Sequence, residues 1–235
     1  TLYNGTKVTI YNNEYLIMKC YVITIMDNEN SISSAKRTIK SAQQFGKMVE
    51  HWKATTPKDN PQKIMENKSI DPNAFKEVYS RHENCMSAFL SHFSLWERCA
   101  FENQDFLILE HDAVFVDHIP NTTMLQHVGT VGKPSYGKFN KPAHIGWGPL
   151  TQKPYFGGAH AYIVRPSGAW HLMEMAQKNA APTDVFLNKT NFPWLQEWSH
   201  WPVEVKDTFT TIQKTEGCLA KHNYYKETYV IENVN

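Results

Sequence analysis

The stretch Asp105-Phe106-Leu107-Ile108-Leu109-Glu110-His111-Asp112 decides the fold. Its short, unbroken apolar run is the pattern of a strand buried on both faces, which belongs inside a parallel sheet. Acidic residues placed directly after such a strand are costly unless something needs them there. In open α/β sheets the crevice beyond the C-terminal strand ends is where ligands bind. In extended geometry Glu110 and Asp112 point the same way and His111 points the other way. Two carboxylates on one side form a hard-oxygen site for Mg²⁺ or Mn²⁺, with positions left for phosphate oxygens and water. The competing reading is a structural capping turn.

Working outward, the residues upstream repeat apolar side chains at three- and four-residue spacing. Cys85, Phe89, His92/Phe93, Trp96 and Cys99/Ala100 predict a helix from Glu83 to about Asn103. Further back, Cys20 to Met26 reads as a buried strand and Asp27-Asn28-Glu29-Asn30 breaks it. Ser33 or Ser34 caps a helix that runs to about Phe45 and stops at Gly46, and Met48 to Ala54 is a second strand. Residues 55–75, with Pro57, Pro61 and Pro72, read as a loop excursion. Downstream, residues 129–158 hold seven of the eleven glycines and four of the twelve prolines, which marks them as loop-rich. Ala161-Tyr162-Ile163-Val164 is a strand leading into a helix from Ala169 to about Gln177. Trp194, Trp198 and Trp201 fall close together, and Lys7–Tyr11 and Tyr229–Ile231 are outlying strands. The expectation is one α/β domain over residues 1–235 with a mostly parallel central sheet. Residues 1–18 would be an accessory segment, 20–128 a nucleotide-binding half and 129–235 an acceptor-side half.

Composition narrows the function classes. With 41% apolar and 20% charged residues the chain is that of an ordinary globular protein, and its net charge of +1 does not announce a nucleic-acid binder. The lysines at 133, 138, 141 and 153 form a local basic stretch, either a binding patch or a solvated loop. No apolar run approaches the ~18 residues of a membrane span. Cys20, Cys85, Cys99 and Cys218 are scattered, and Cys85 and Cys99 lie about 21 Å apart along one helix, too far to bridge. Free thiols fit a reducing, cytoplasmic setting, the host cytoplasm if the source is viral. Matches to the N-glycosylation pattern at Asn4, Asn67, Asn121 and Asn188 carry little meaning in an Asn-rich chain.

Several motifs in order resemble glycosyltransferase family 25, which includes bacterial lipooligosaccharide and collagen galactosyltransferases. They are Asn84-Cys85 with Ser91-His92 and Trp96-Glu97 on a helix, then Phe106-Leu107-Ile108-Leu109-Glu110-x-Asp112. Gly158-Ala159-His160-Ala161-Tyr162 with Pro166-x-Gly168-Ala169, and Pro182-Thr183-Asp184, continue the likeness over about residues 20–190. Two departures stand out. His111 replaces the central acid of the family's Glu-Asp-Asp, which bears on metal use, and only Lys36-Arg37 represents the Arg-rich stretch after the first strand.

The resemblance implies a GT-A-type Rossmann-like fold, a nucleoside-diphosphate sugar donor (often UDP-linked), inversion at the anomeric carbon, and a Mn²⁺ or Mg²⁺ cofactor. Thr24, Ile25, Met26 and Ala54 would lie against base and ribose, with Ser91, Glu110 and His111 beside them. Asp112 and Glu110 would be the metal ligands, Asp112 nearest the diphosphate. Asp184 is the first candidate for the base that takes the acceptor hydroxyl's proton, or else it caps a helix. His160 is either a third metal ligand or donor-sugar contact, or a hydrogen-bonded core histidine. Arg37 and Arg81 bind diphosphate or form exposed ion pairs. Ser91 and His92, neighbours on a helix, diverge by about 100° and so pack and hydrogen-bond near the site without forming a nucleophile–base pair. Lys133, Lys138, Lys141 and Trp147 are the candidate acceptor residues. The acceptor is a saccharide or glycolipid, or a hydroxymethylated base of viral DNA held by those lysines and nearby aromatics. A non-catalytic sugar-nucleotide or glycan-binding module is the alternative from another class. A metal hydrolase fits less well, because no His-x-x-x-His spacing adjoins the acids.

Overall fold

The computed structural model describes residues 18–75, 82–135 and 138–205. Lys7–Tyr11, Arg81, Cys218 and Tyr229–Ile231 lie outside the described residues.

The chain opens β1 (Lys19–Thr24), α1 (Glu29–Gln44), β2 (Val49–Lys53), α2 (Pro61–Asn67), α3 (His82–Glu102) and β3 (Phe106–Glu110). It continues β4 (Ala113–Phe115), β5 (Val128–Thr130), β6 (Trp147–Pro149), β7 (Ala161–Val164), α4 (Pro166–Asn179), α5 (Thr183–Phe186), β8 (Gln196–Trp198) and β9 (Val203–Val205). Seven strands form one sheet in the order β2-β1-β3-β7-β5-β8-β6, and β4 pairs with β9 separately.

β1 pairs parallel with both β2 and β3. The chain therefore adds β2 on one side of β1 and then crosses to add β3 on the other. α1 covers one face, where Ala35 and Ala42 pack with Val22, Leu107 and Leu109. α3 covers the opposite face, where Phe89, Phe93 and Trp96 pack with Tyr21, Phe106 and Ile108. Alternation along β1 and β3 supplies both faces, which is why these strands read as unbroken apolar runs.

Beyond β3 the expected mostly parallel sheet does not continue. β7 pairs antiparallel with β3 and β5, β8 is parallel to β5, and β6 is antiparallel to β8. The sheet is mixed because β7 is reached through a long loop-rich excursion and not through one crossover helix. α1 also starts earlier than Ser33: the Asn28 side chain accepts the Ser31 N–H at 3.0 Å, so the polar break is itself the cap. Gly46, at φ +69°, ends that stretch in the left-handed conformation. Residues 55–75 contain α2, started by Asn60 at φ 55° followed by Pro61. The three tail tryptophans do not cluster: Trp198 packs on Trp147, Trp201 on Phe139, and Trp194 on His127 and Phe192. Cys20, Cys85 and Cys99 are buried and form no disulfide among the described residues, and burial pushes Cys20 up to about 11. Among the described residues no helix is long and apolar enough to cross a membrane.

Candidate active site

The reversal of strand order at β1 opens a crevice beyond the C-terminal ends of β1 and β3, the place where doubly wound sheets hold ligands. Thr24, Ala54 and Glu110 meet there. Ile23 is the register partner of Glu110, and the Ala54 N–H donates to the Thr24 carbonyl at 2.9 Å. Thr24 and Ala54 are buried, and the Thr24 hydroxyl lies 2.9 Å from His51 Nδ1, so they form the floor. Met26, 48% exposed, stands on the rim, and the Ile25 N–H donates to the Ser31 hydroxyl at 2.9 Å.

Glu110 is held from behind by a buried chain of polar groups. Trp96 Nε1–H donates to the Tyr162 hydroxyl at 2.8 Å. The Tyr162 oxygen lies 3.0 Å from His92 Nδ1, and His92 Nε2 lies 3.2 Å from Glu110 Oε1. Indole is a donor only, so full satisfaction of neutral groups sends the Tyr162 proton to Nδ1 and leaves the His92 proton on Nε2, aimed at the carboxylate. Trp96, Tyr162 and His92 are 0–1% exposed, whereas the Glu110 side chain is 38% exposed and open to a ligand. Burial alone raises the Glu110 pKa. The His92 hydrogen bond and the neighbouring His92, His160 and His111 rings outweigh it and hold the carboxyl below its ordinary value.

The residues after Glu110 do not stay extended. β3 ends there and His111–Asp112 is a turn, so extended geometry does not hold Glu110 and Asp112 on one side. α1 staples this turn. The Thr38 hydroxyl donates to the Ala113 carbonyl at 2.6 Å, Ser41 Oγ accepts the Phe115 N–H at 3.0 Å, and Arg37 donates to the Asp112 carbonyl at 3.5 Å. His111 Nδ1 lies 3.0 Å from the Ser31 hydroxyl, tying the turn to the N-terminus of α1. Arg37 is therefore buried beneath the turn, not an exposed ion-pairing residue.

His160 sits opposite Glu110, whose N–H donates to the His160 carbonyl at 3.0 Å. Its ring is wedged between two glycines: a Cβ on Gly132 would fall 2.4 Å from Nε2, and one on Gly158 (φ +131°) 2.6 Å from Nδ1. Neither ring nitrogen has a partner with hydrogen-bond geometry among the described residues. Burial lowers its pKa to about 4, against the opposing pull of Glu110, the Val203 backbone and Glu204. Ser91, 1% exposed, donates to the Ser87 carbonyl at 2.8 Å and accepts the Thr55 N–H at 2.9 Å, so it reaches the crevice only by holding the chain after β2. Asp184 lies in the first turn of α5, where its Oδ1 accepts the Val185 N–H at 2.9 Å. Two residues on, Phe186 stacks on Trp96 at 5.7 Å.

The other acceptor candidates separate. Lys133 pairs with Glu204 at 2.9 Å. Trp147 lies in β6, four strand steps or about 19 Å from β3. Its indole N–H donates to the Asn121 carbonyl at 2.8 Å, and its ring fills the space over Gly129. Lys141 is exposed on the 138–146 loop. Lys138 alone of these lines a cleft of about 990 Å³, with Gln152, Lys153 and Lys189. Among the described residues no three His, Cys, Asp or Glu side chains are grouped as a metal site.

A parallel 2-1-3 core with a carboxylate at its switch point is the arrangement at which doubly wound α/β proteins bind ligands. The chain belongs to glycosyltransferase family 25 (LPS biosynthesis protein), whose family model matches residues 18–144. It is thus a glycosyltransferase, acting between a sugar donor and a glycan acceptor. No curated protein matches the chain.

Proposed function

We propose that the chain is a GT-A-type, metal-dependent, inverting hexosyltransferase that takes its sugar from a UDP-linked donor and passes it to a hydroxyl of a saccharide or glycolipid. The observation that carries this reading is Glu110: a half-exposed carboxylate at the switch point, kept ionised by His92 behind it. Glu110, and Asp112 two residues on in the turn, would hold Mn²⁺ or Mg²⁺. Such a cation needs only one or two protein carboxylates when diphosphate oxygens complete its shell. When bound, it neutralises the charge of the departing diphosphate. Met26 and Ile25 border the base and ribose, and Thr24 and Ala54 support them from below. Asp184 is the proposed base, on a helix docked through Phe186 against the tryptophan that anchors the Glu110 chain.

The test is a donor-hydrolysis screen across UDP-, GDP- and CMP-sugars with Mn²⁺ and Mg²⁺, repeated with Asp112→Asn and Glu110→Gln. Turnover with UDP-sugars that needs the cation and falls at least about 100-fold in either variant supports the reading. Full turnover by Asp112→Asn removes Asp112 from the metal site.

A further inference from the structure

We propose that Ser31 is a positioning residue for donor binding: its hydroxyl joins the loop that borders the base to the turn that carries Asp112, so that both parts of the donor pocket are set as one unit. This rests on the donor reading above and adds to it a residue and a coupling.

Ser31 stands in the first turn of α1 and is fully buried. Its own N–H donates to Asn28 Oδ1 at 3.0 Å, so the helix cap fixes where the side chain starts. Its Oγ accepts the Ile25 N–H at 2.9 Å and lies 3.0 Å from His111 Nδ1. The Asn28 N–H in turn donates to the Ile25 carbonyl at 3.1 Å, so the bond to Ile25 holds the start of the 25–28 loop, with Met26 beside it on the rim. On the other side His111 lies in the turn between Glu110 and Asp112. Thr38 grips the backbone of that turn at the His111 and Ala113 carbonyls, at 3.0 and 2.6 Å. Ser31 supplies the bond that goes on from the turn to the loop.

The protons fix which way each bond runs. A serine hydroxyl has one proton to give. The Ile25 N–H already fills one acceptor position of Ser31, and the acceptor within reach of the Ser31 proton among the described residues is His111 Nδ1. The imidazole is therefore assigned its neutral form with the proton on Nε2. With Nδ1 accepting from Ser31 and Nε2 protonated, the ring offers a cation no lone pair. His111 is thus a strut between α1 and the turn, and the proposed cation is left to Glu110 and Asp112. Without the Ser31 hydroxyl the Ile25 N–H and His111 Nδ1 both lose this partner, and loop and turn move independently.

The experiment compares the full chain with Ser31→Ala, His111→Leu, the double variant, and His111→Asn, whose amide oxygen stands in for Nδ1. Amide hydrogen exchange is followed in the peptides covering residues 25–28 and 111–115. Donor KM and kcat are taken with Mn²⁺ and the UDP-sugar that turns over fastest. Ser31→Ala and His111→Leu should each speed exchange in both peptides and raise donor KM about tenfold, with kcat within about threefold. The double variant should be no worse than either single, because one link is cut. His111→Asn should bring KM back to within about threefold of wild type. His111 is half-buried, so its variants test the same link if the buried Ser31→Ala loses the fold. Faster exchange in one peptide alone, KM rises that multiply in the double variant, or an Asn variant as poor as Leu overturns the coupling. A fall in kcat with unchanged KM overturns the positioning role. If the wild type turns over no UDP-sugar, the donor reading fails, and the exchange peptides still decide the link.

Discussion

Tyr162→Phe removes one oxygen from the buried chain behind Glu110 and leaves the ring's packing in place. Two buried groups lose their partner: Trp96 Nε1–H, 2.8 Å away, and His92 Nδ1, 3.0 Å away. Leaving a buried polar group unmet costs about 1–3 kcal/mol. Two such losses, partly relaxed, come to about 3 kcal/mol, which lowers the melting temperature of a chain this size by about 6–12 °C. The second consequence is chemical. With no hydroxyl at Nδ1, the His92 ring loses the group that orients it, and its Nε2–H is held less squarely toward Glu110. The hydrogen bond that holds the carboxyl's pKa down is then weakened. The group's pKa is depressed in the folded protein, so its share of stability is present above the unfolded value and lost as pH falls through the folded one. In the variant, the acid limb of kcat/KM for transfer should therefore move to higher pH. Urea unfolding at neutral pH and the pH–rate profile check the two parts separately. A stability loss below about 0.5 kcal/mol refutes the hydrogen-bond wiring. A normal loss with an unmoved acid limb refutes the link from Tyr162 to Glu110.

Three further outcomes follow from the same geometry. His160, whose pKa falls from 6.5 to about 4, stays neutral in the fold while the unfolded chain takes up a proton. Stability should therefore drop by about 2 kcal/mol between pH 7.5 and pH 5, and His160→Phe should flatten that slope in urea titrations at the two pH values. Gly132→Ala places a methyl 2.4 Å from His160 Nε2, so it should cost about 1–3 kcal/mol in urea unfolding. A melting curve equal to wild type would show that the ring is free to move. Arg37→Met removes the guanidinium under the Asp112 carbonyl and should lose about 1.5–3 kcal/mol. Its donor KM should rise as the turn loosens, and an unchanged KM would sever Arg37 from the site.

What was legible in the sequence follows the length and periodicity of each element. β1, β3 and α3 carry unbroken or three-and-four-spaced apolar residues, and their positions read directly from that pattern. β5, β6 and β8 are three residues each, too short for alternation to register, and the mixed half of the sheet went unseen with them. α2 hid behind Asn60 and Pro61, residues that mark loops as well as helix starts. Glu110 stood out because an acid after a buried run demands a reason, but the turn at His111 and Asp112 needed the contacts from α1 to be seen. Trp147 reads in the sequence as an aromatic among lysines, yet its ring fills the gap over Gly129. Gln152 and Lys189 gave no local signal, since only backbone hydrogen bonds between distant segments bring them together.

The departure from a mostly parallel sheet is what brings the loops of both halves to one edge. In a parallel continuation β7 would begin at the edge of the sheet where β3 begins, and the loop before it would open on the far side from Glu110. Because β7 runs antiparallel, Ala161 pairs with Leu109, and His160 arrives next to Glu110 at the C-terminal end of β3. β5, antiparallel to β7, then delivers Gly132 to the same end, and β8, parallel to β5, delivers Glu197. Gly132 admits the His160 ring, while Glu197 anchors the floor on which Gln152 and Lys153 stand. The parallel half thus supplies the crevice with its carboxylate, and the antiparallel half turns its loops back over that crevice. The proposed transfer needs both ligands at one edge, and the reversal of direction across the β3–β7 pair brings the loops of both halves to that edge.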